Sequence, residues 1–363
     1  MTMESDDFVA AALAELGLGT FEPLGGETFS GRNDSRTGLT SRGHAVFVKR
    51  LTGAEAARRL RTLIGFEQTC RARISPALRT PACLGWDVER QVIVFDWLKD
   101  AVSGHDLAAD DAFTDDMARR CGAAVGVLHG PPGAVEPPPA AVRASASAVP
   151  DLFTALPLDY YERASGAVLA MWRILHGDAT IAASLRALRA DSRRARPVLI
   201  HADLRLDQFL FDADGPLLCD WEEWQMGDPA CDVGAFAGEW LYRMLRGIPS
   251  DDPREEQDDA SPEARHRAAH HRILERGLAG VEAARTKIAA FRDGYADSGG
   301  CLSDDLVTRA TAYGGWHLLE RVLAAAESRP VLGTLDRMLI GIGSTALRTP
   351  HKFAQSLGLE GTR

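Results

Sequence analysis

Residues 198–224 read VLIHADLRLDQFLFDADGPLLCDWEEW, and they hold short apolar segments that run directly into carboxylates. The run Val-Leu-Ile ends at His201 and is followed closely by Asp203, and the run Leu-Leu-Cys ends at Asp220. Short apolar runs bounded by turn residues are typical of buried strands. The stretch therefore predicts two or three short strands with acidic side chains at their ends.

An amide side chain, Gln208, lies between these two acids. Mg²⁺ prefers hard oxygen ligands and usually takes few of them from the protein. A hydroxyl nucleophile needs a carboxylate that orients it and accepts its proton. Asp203, Gln208 and Asp220 can therefore form a base and a divalent-cation site together. Taken singly, each is explained at least as well by a turn cap or a solvated strand end.

A lysine and a glutamate upstream are candidates for an ion pair. HAVFVKRL, residues 44–51, is rich in Val and Phe and predicts a strand that carries Lys49. A capping box at Thr52–Glu55 predicts a helix that runs to about Arg71. Glu67 shares the apolar face of that helix, where a carboxylate needs a partner, and Lys49 is the nearest one in sequence. The alternative is that both side chains are exposed, as most Lys and Glu are.

Residues 24–38, LGGETFSGRNDSRTG, contain four glycines and predict a loop or a loose hairpin. Backbone N–H groups in such a loop can hold phosphate. The loop matches neither the P-loop nor the dinucleotide motif, because no lysine stands at the required spacing and no helix follows. An ordinary hairpin explains the glycines equally well, and only the position ahead of the Lys49 strand favours phosphate binding.

The composition is that of a globular protein. The chain has 363 residues, 45% hydrophobic and 25% charged, a length that suggests two domains or lobes. The net charge of −10 gives no support for nucleic-acid binding. No apolar run is long enough to predict a membrane span, and the N-terminus lacks the basic start of a secretory signal. Six cysteines without a CxxC motif predict a reducing cytoplasm and mostly buried thiols, with neither disulfides nor a zinc site.

Helical patterns dominate after the first quarter of the chain. A strand-rich start followed by a helix-rich remainder with a strand insert predicts an α+β fold of two lobes. A further short strand is expected at VIVF, residues 92–95. Helical stretches are expected at 8–17, 114–129, 150–192 and 233–246, with three more in 265–347.

The chain resembles the protein-kinase-like superfamily, in particular the aminoglycoside phosphotransferase family. The resemblance lies in the order of four features: a glycine loop, a lysine on a strand, a glutamate on a helix and acids at strand ends. That family reads roughly H-G-D-x-x-x-x-N, then a strand ending in [IV]-D-[FW]-[ED], then G-D-P-x-x-D. The matching residues here are His201-Ala202-Asp203, Gln208, Asp220-Trp221-Glu222 and Gly227–Asp232, together with Val48-Lys49, Glu67 and Leu128-His129.

The resemblance implies a bilobal fold and an ATP-dependent transfer of phosphate, with Mg²⁺, to a hydroxyl. A nucleotide-binding lobe with an antiparallel sheet and a helix would span 1–98. A connector at 99–104 would lead into a mainly helical lobe at 105–363, which would hold the catalytic and metal loops and the acceptor site.

The resemblance also implies a role for each matching residue. Asp203 would be the catalytic base, and Gln208 and Asp220 would hold the metal. Lys49, paired with Glu67, would bind the ATP phosphates. Further nucleotide contacts are implied for Phe47 on the adenine, Phe95, Trp97 and Leu98 in the hinge, and Gly31 and Asn33 in the glycine loop. Structural roles are implied for His201, Asp228, Asp232, Cys219 and Cys231.

Two departures stand out, since Gln208 replaces the usual Asn and Ala202 a common Gly. A second resemblance accounts for Gln208, because Gln208 belongs to its pattern. The chain looks similar to kinase-like proteins of class V lanthipeptide and thioamitide biosynthesis in the segments R-N-D-S-x-x-G, V-F-V-K-R-L, H-x-D-L-R-L-D-Q-F-L and D-W-E-E-W. It implies phosphorylation of Ser/Thr in a precursor peptide, followed by elimination by a partner lyase. A kinase of small hydroxylated antibiotics and an inactive scaffold that binds a leader peptide remain the alternatives.

Overall fold

The computed structural model describes residues 7–24, 33–70, 75–130, 152–153, 155–248 and 261–360. The chain divides into two compact units. In the described residues, the first unit holds the chain up to Phe113 together with Gly130 and His201–Met226, and the second holds the rest. The first contains antiparallel sheets and the second is mainly helical, so the α+β prediction is confirmed. The lobe boundaries placed at 98 and 105 stay a prediction.

The first unit is built on a five-stranded antiparallel sheet. Its strands lie in the order β1-β2-β3-β5-β4. They are β1 (Phe21–Pro23), β2 (Asp34–Thr40), β3 (Ala45–Arg50), β4 (Cys83–Asp87) and β5 (Val92–Asp96). The two strands expected from the sequence are β3 and β5. Strand β2 overlaps the end of the stretch expected to be a loop or a loose hairpin. Its polar residues form a strand by pairing with β1 and β3.

Helix α1 (Asp7–Glu15) covers one face of this sheet. Its Val9 and Leu13 are fully buried against Val46 and Val48 of β3 and neighbouring valines of β5. Successive side chains of a strand point to opposite faces. Because Val46 and Val48 face α1, Phe47 and Lys49 project from the other face, where the candidate site lies.

Helix α2 (Ala56–Thr69) follows β3 and buries one stripe of its surface. The predicted capping box is wrong: Glu55 occupies the N-cap position but makes no capping bond there. Its carboxylate accepts a hydrogen bond at 2.8 Å from Arg58 Nε instead. The helix therefore starts only after Glu55.

A second, three-stranded sheet completes the first unit, in the order β6-β8-β9. Its elements are β6 (Val102–Ser103), β8 (Phe209–Asp212) and β9 (Gly215–Leu218), with α3 (Gly104–Ala109) after β6. Short 3₁₀ turns at Leu206–Gln208 and Trp221–Glu223 flank the β8–β9 hairpin. The predicted strand insert is thus confirmed as a hairpin whose two ends carry the polar residues of the opening stretch.

The second unit consists mainly of helices. They are α4 (Asp115–His129), α5 (Leu158–Arg163), α6 (Gly166–Gly177), α7 (Ala179–Arg194), α8 (Ala230–Gly247), α9 (Pro262–Asp297), α10 (Asp304–Ala326), α11 (Thr334–Arg348) and α12 (Pro350–Phe353). The short strands β7 (Val198–Ile200) and β10 (Gln225–Gly227) lie where the chain crosses from one unit to the other. The helix predicted at 114–129 and the three predicted in 265–347 are confirmed.

Close packing in the second unit uses a glycine where α4 meets α9. A Cβ at Gly122 would lie 1.9 Å from the Phe291 carbonyl oxygen, so only glycine fits this contact. Beside it, buried His129 bridges Tyr295 Oη and Asp232 Oδ2, each at 3.0 Å. Asp228 accepts two hydrogen bonds from Arg309, at 2.7 and 3.1 Å. Asp228 and Asp232 therefore make internal contacts that brace the start of α8.

The helices and the cysteines test two further expectations, on membrane spans and on thiol burial. Within the described ranges, no helix is long and apolar enough to cross a membrane. All six cysteines are free thiols, of which Cys70 and Cys121 are buried and Cys301 is exposed. Cys83, Cys219 and Cys231 are partly exposed, so the expectation that the thiols are mostly buried is wrong.

Candidate active site

The β8–β9 hairpin places the predicted metal ligands side by side. The Cys219 N–H donates to the Gln208 carbonyl oxygen at 2.9 Å, which extends the ladder that pairs Phe209 with Leu218. Asp220 follows at once, in a left-handed conformation with φ 64° and ψ 58°. This conformation is unusual for a residue with a side chain and turns the chain sharply at the strand end. Gln208 and Asp220 therefore meet at the open end of one hairpin.

His201 supports the loop that carries Asp203. Its ring is fully buried, its Nε2 lies 2.9 Å from the Cys219 carbonyl oxygen, and it packs on Trp221 with 4.9 Å between ring centroids. The Asp203 N–H donates to His201 Nδ1 at 3.4 Å, so Nε2 carries the proton and donates to Cys219. His201 thus ties the Asp203 loop to the strand that ends at Asp220, which agrees with the structural role implied for it.

The carboxylate of Asp203 is enclosed by protein on several sides, but 46% of its side-chain surface still reaches solvent. Burial raises the pKa of Asp203 above its ordinary value. Arg205, whose Nη2 lies 3.6 Å from Asp203 Oδ2, opposes this rise, while Asp220 adds to it. A carboxylate with a raised pKa that solvent can still reach is suited to accepting a proton.

Lys49 binds the strand-end acids directly. Its Nζ donates to Asp220 Oδ1 at 2.8 Å and also forms an ion pair with Glu222. Burial alone would lower the pKa of Lys49, but the two carboxylates outweigh burial and raise it. Burial alone would likewise raise the pKa of Asp220, and Lys49 lowers it instead. Both groups are therefore charged at neutral pH.

The expected ion pair between Lys49 and Glu67 is not formed in the part of the chain that the structure describes, since the ion pairs of Lys49 go to Asp220 and Glu222. Glu222 is bound by Arg59, near the start of α2. Glu67 is buried on the same helix, about 12 Å further along the axis at 1.5 Å per residue. The lysine therefore lies at the Arg59 end of α2, away from Glu67.

Sequence reasoning missed two residues of this site, Glu222 as a partner of Lys49 and Arg59 altogether. Arg59 Nη1 donates to Glu222 Oε2 at 2.6 Å and to Asn33 Oδ1 at 3.0 Å. The signal for Arg59 was present, because it lies four residues before Leu63 and so shares the apolar face that singled out Glu67.

Asn33, expected to contact a nucleotide, bonds to protein groups here. Its Nδ2 donates to Glu222 Oε1 at 2.6 Å, and its Oδ1 accepts from Arg59. Gly31, the other residue implied for the glycine loop, lies outside the described residues, as do Gly25 and Gly26. The phosphate-binding role of the loop therefore stays a prediction.

The residues expected around the adenine lie together at the end of β5. Phe47 pairs with Phe95 across β3 and β5 and stacks on Trp97 with 6.1 Å between ring centroids. All three are partly exposed, as is Leu98. The Trp97 N–H is taken by the Ala45 carbonyl oxygen at 2.9 Å, which fixes the connector against β3. Phe47, Phe95 and Trp97 thus form an aromatic surface on the Lys49 side of the sheet.

The donor set suits a hard cation that takes most of its ligands from elsewhere. Asp220 offers a carboxylate and Gln208 an amide carbonyl, the oxygen ligands that Mg²⁺ prefers. Gln208 Oε1 lies 3.8 Å from Cys219 Sγ, and burial raises the pKa of that thiol to about 12, so it stays protonated. In the described ranges, no cluster of three or more His, Cys, Asp or Glu could hold a metal alone.

The model of a family described as "Phosphotransferase enzyme family" matches residues 26–273, more than half of the chain. The chain belongs to this family. The prediction that it is a phosphotransferase enzyme is therefore confirmed. No curated protein matches this phosphotransferase in sequence.

Solved structures similar to this phosphotransferase share its fold at low identity. Choline kinase LicA from Streptococcus pneumoniae matches with a TM-score of 0.54 and 13% identity. The match covers 96% of this chain and 100% of the LicA chain. A choline/ethanolamine kinase family protein from Mesorhizobium loti has a TM-score of 0.53 and 17% identity, covering 99% of both chains. Amicoumacin kinase hAmiN has a TM-score of 0.50 and 12% identity, covering 96% of both. The kinase-like fold is thereby confirmed.

Proposed function

We propose that this phosphotransferase transfers the γ-phosphate of ATP to the hydroxyl of Ser or Thr residues in a ribosomally made precursor peptide. The observation that carries the phosphoryl-transfer part is the contact of Lys49 with Asp220 at 2.8 Å, on the hairpin that His201 ties to the Asp203 loop. A cation for phosphate, a carboxylate for a metal and a carboxylate for a hydroxyl proton are the parts that this reaction requires.

The nucleotide fits the surface beside Lys49. Phe47 and Trp97 offer apolar faces on which an adenine can stack, and Lys49 on the same strand as Phe47 would donate to the phosphates. Glu67 would act further from the lysine than the resemblance implies. The hAmiN structure is a complex with AMP-PNP, an ATP analogue, which supports ATP as the phosphate donor of this fold.

Gln208 and Asp220 would hold Mg²⁺ through their side-chain oxygens. When bound, the ion neutralises charge that develops on the transferred phosphate. Lys49 occupies Asp220 Oδ1 here, so Lys49 must release that oxygen when it turns to the phosphates. Glu222, the second partner of Lys49, keeps its own contacts during that exchange.

Asp203 would act as the base. Its carboxylate takes the proton of the acceptor hydroxyl while that oxygen forms a bond to the γ-phosphorus. The bond from the γ-phosphorus to the bridging oxygen breaks, and the electron pair leaves with ADP. The pKa of Asp203, raised by burial, brings its basicity closer to that needed at neutral pH. Arg205 beside it limits the rise.

A peptide acceptor is favoured by the sequence resemblance, which includes Gln208 in place of the usual Asn. Phosphorylation would convert a Ser or Thr hydroxyl into a leaving group. A partner lyase would then remove it to give a dehydroamino acid.

A small-molecule acceptor is the second candidate, and the similar solved structures favour it. They are named as kinases of choline and amicoumacin, and both acceptors are small molecules. The chain would then modify a hydroxylated antibiotic or metabolite and need no lyase.

The test is transfer from ATP and Mg²⁺ to two sets of acceptors, followed by mass spectrometry. One set contains Ser/Thr-rich precursor peptides with leader sequences, and the other contains aminoglycosides, choline and macrolides. A gain of about 80 Da per phosphate on the peptides supports the proposal. Transfer only to the second set would contradict the peptide acceptor. ATP binding without transfer to either set would favour an inactive scaffold that binds a leader peptide.

A further inference from the structure

We propose that Arg59 and Glu222 are positioning residues for the nucleotide-binding lysine, in place of the expected Lys49–Glu67 pair. In this arrangement α2 contributes a cation, Arg59, and the anion that holds Lys49 comes from the loop after β9. The inference rests on the proposed function, since it assigns how the ATP-binding lysine of that site is held.

Arg59 connects three separate segments of the first unit. Only 1% of its side chain is exposed. Its guanidinium donates to Glu222 after β9, to Asn33 before β2 and, through Nη2 at 2.5 Å, to the Thr52 carbonyl oxygen after β3. An arginine is suited to this, because its planar fork can bind several acceptors at fixed angles. Lysine, with its single ammonium, could reach fewer of them.

Glu222 is held through both of its carboxylate oxygens. Oε1 accepts from Lys49 and from Asn33 Nδ2, while Oε2 accepts from Arg59. The side chain is only 5% exposed, so it has little freedom to move. This buried carboxylate lies between two cations, Lys49 and Arg59, and its loss would leave them without a counter-charge.

The two anionic partners of Lys49 therefore differ in how freely they can be released. Asp220 has 30% of its side chain exposed, whereas Glu222 is enclosed and bound to Arg59 and Asn33. Asp220 is thus the partner that can exchange Lys49 for another cation. Glu222 is the partner that keeps Lys49 aligned while the exchange takes place.

The loop that carries Glu222 is fixed to α2 along its length. Trp221 stacks on Phe66 with 3.9 Å between ring centroids and 11° between planes. The Trp224 indole N–H donates to the Thr62 carbonyl oxygen at 2.5 Å. These contacts hold the backbone on both sides of Glu222, so a change at Arg59 alters the carboxylate without releasing the loop.

The structure supplies a matched control one residue away. Arg58 also lies on α2 and binds the next acid of the loop, Glu223, with both distances 3.1 Å. That pair is 42% and 29% exposed and does not touch Lys49. Arg58→Gln therefore removes an arginine–glutamate pair between the same two elements without touching the lysine.

The experiment measures the Kd of Mg·ATP by calorimetry for the wild type, Arg59→Lys, Arg59→Met, Glu222→Gln and Arg58→Gln. Because Arg59 is buried, its variants lose stability for structural reasons as well. Leu13→Ala, in the core between α1 and the sheet, is included as a variant destabilised away from the site. Thermal unfolding without nucleotide is recorded for every variant, and the Kd values are compared at a temperature where all are folded.

We expect Arg59→Met and Glu222→Gln to raise the Kd about tenfold or more, a change of about 1.4 kcal/mol. Arg59→Lys should fall between these and the wild type, while Arg58→Gln and Leu13→Ala should stay within about twofold of it. The inference is overturned if Arg59→Met and Glu222→Gln bind Mg·ATP as tightly as Leu13→Ala does. Failure of the wild type itself to bind Mg·ATP would instead overturn the proposed function, and the inference with it.

Discussion

Lys49 Nζ lies 2.8 Å from Asp220 Oδ1, although the two residues are 171 positions apart in the chain. The contact joins the central strand of the first sheet to the end of the β8–β9 hairpin. Each group shifts the pKa of the other toward its charged form, against the effect of burial. The ion pair therefore contributes to stability and, under the proposed function, nucleotide binding depends on the same two residues.

The first prediction concerns Lys49→Met and the pH dependence of stability. The pKa of Asp220 is lowered from 3.8, so its contribution is present above that value and is lost as the pH falls through the folded pKa. The pKa of Lys49 is raised from 10.5, so its contribution is present below that value and is lost as the pH rises through the folded pKa. The variant should be less stable by on the order of 3 kcal/mol at pH 7, with a smaller difference at both extremes.

Chemical denaturation across the pH range measures this effect. Arg163→Ala is the control, since Arg163 forms an exposed ion pair with Asp159 whose loss should change stability by about 0.5 kcal/mol or less. A constant difference between wild type and Lys49→Met from pH 3 to pH 11 would show that the ion pair contributes nothing.

The second prediction concerns the acid limb of the pH–activity profile. As the proposed base, Asp203 must be charged to accept a proton, so activity should fall as the pH drops through its raised pKa. Arg205 lowers that pKa, and Arg205→Gln should therefore move the acid limb to higher pH. The measurement is kcat/KM against pH for both proteins at saturating Mg·ATP. An acid limb that stays in place, or moves to lower pH, would contradict the assignment.

The third prediction concerns Ala202, which has a φ of 66° in the loop before Asp203. The left-handed backbone region raises the conformational free energy of a residue with a Cβ by roughly 1–2 kcal/mol, and glycine has no such penalty. Ala202→Gly should therefore be neutral or stabilise the protein by up to about 1 kcal/mol, although the unfolded chain gains freedom. Ala268→Gly, at an exposed position in α9, should cost about 1 kcal/mol. Equal losses in the two variants, measured by urea unfolding, would argue against a left-handed residue at 202.

The fourth prediction concerns Gln208 and the choice of metal. Its carbonyl approaches the site from beside Cys219, and asparagine would draw that oxygen back by about one methylene length. Mg²⁺ demands a near-ideal octahedron, so Gln208→Asn should keep transfer activity but change the ratio of Mg²⁺- to Mn²⁺-supported rates. Steady-state rates with each metal give this ratio. Identical ratios in both proteins would count against Gln208 as a metal ligand.

The fold could largely be predicted from residue patterns. The strand at Lys49, the buried strand at 92–95 and the β8–β9 hairpin follow from apolar runs, because a buried strand needs them. Strand β2 could not be predicted in this way. Its polar residues become a strand only because neighbours on both sides pair with it.

The candidate site could be predicted in its parts but not in its pairings. Spacing and resemblance predict Lys49, Asp203, Gln208 and Asp220 as site residues, and of these Lys49 and Asp220 form an ion pair. The partner of Lys49 was misassigned to Glu67, because helical periodicity shows which face a residue occupies but not which end of the helix meets a neighbour. That choice depends on how the loop after β9 packs on α2, a contact between segments far apart in sequence.

The role of Asp203 as the base is tested most directly by the rate at which Asp203→Asn transfers label from γ-labelled ATP to an acceptor hydroxyl, compared with the wild type. Asparagine keeps the shape of the side chain but cannot accept the proton of the acceptor hydroxyl. We expect the variant to bind Mg·ATP with near wild-type affinity, since Lys49, Gln208 and Asp220 are intact. Its transfer rate should fall by about a hundredfold or more, as for loss of a general base. Transfer at the wild-type rate, from a variant that still binds nucleotide, would contradict the assignment of Asp203 and the mechanism built on it.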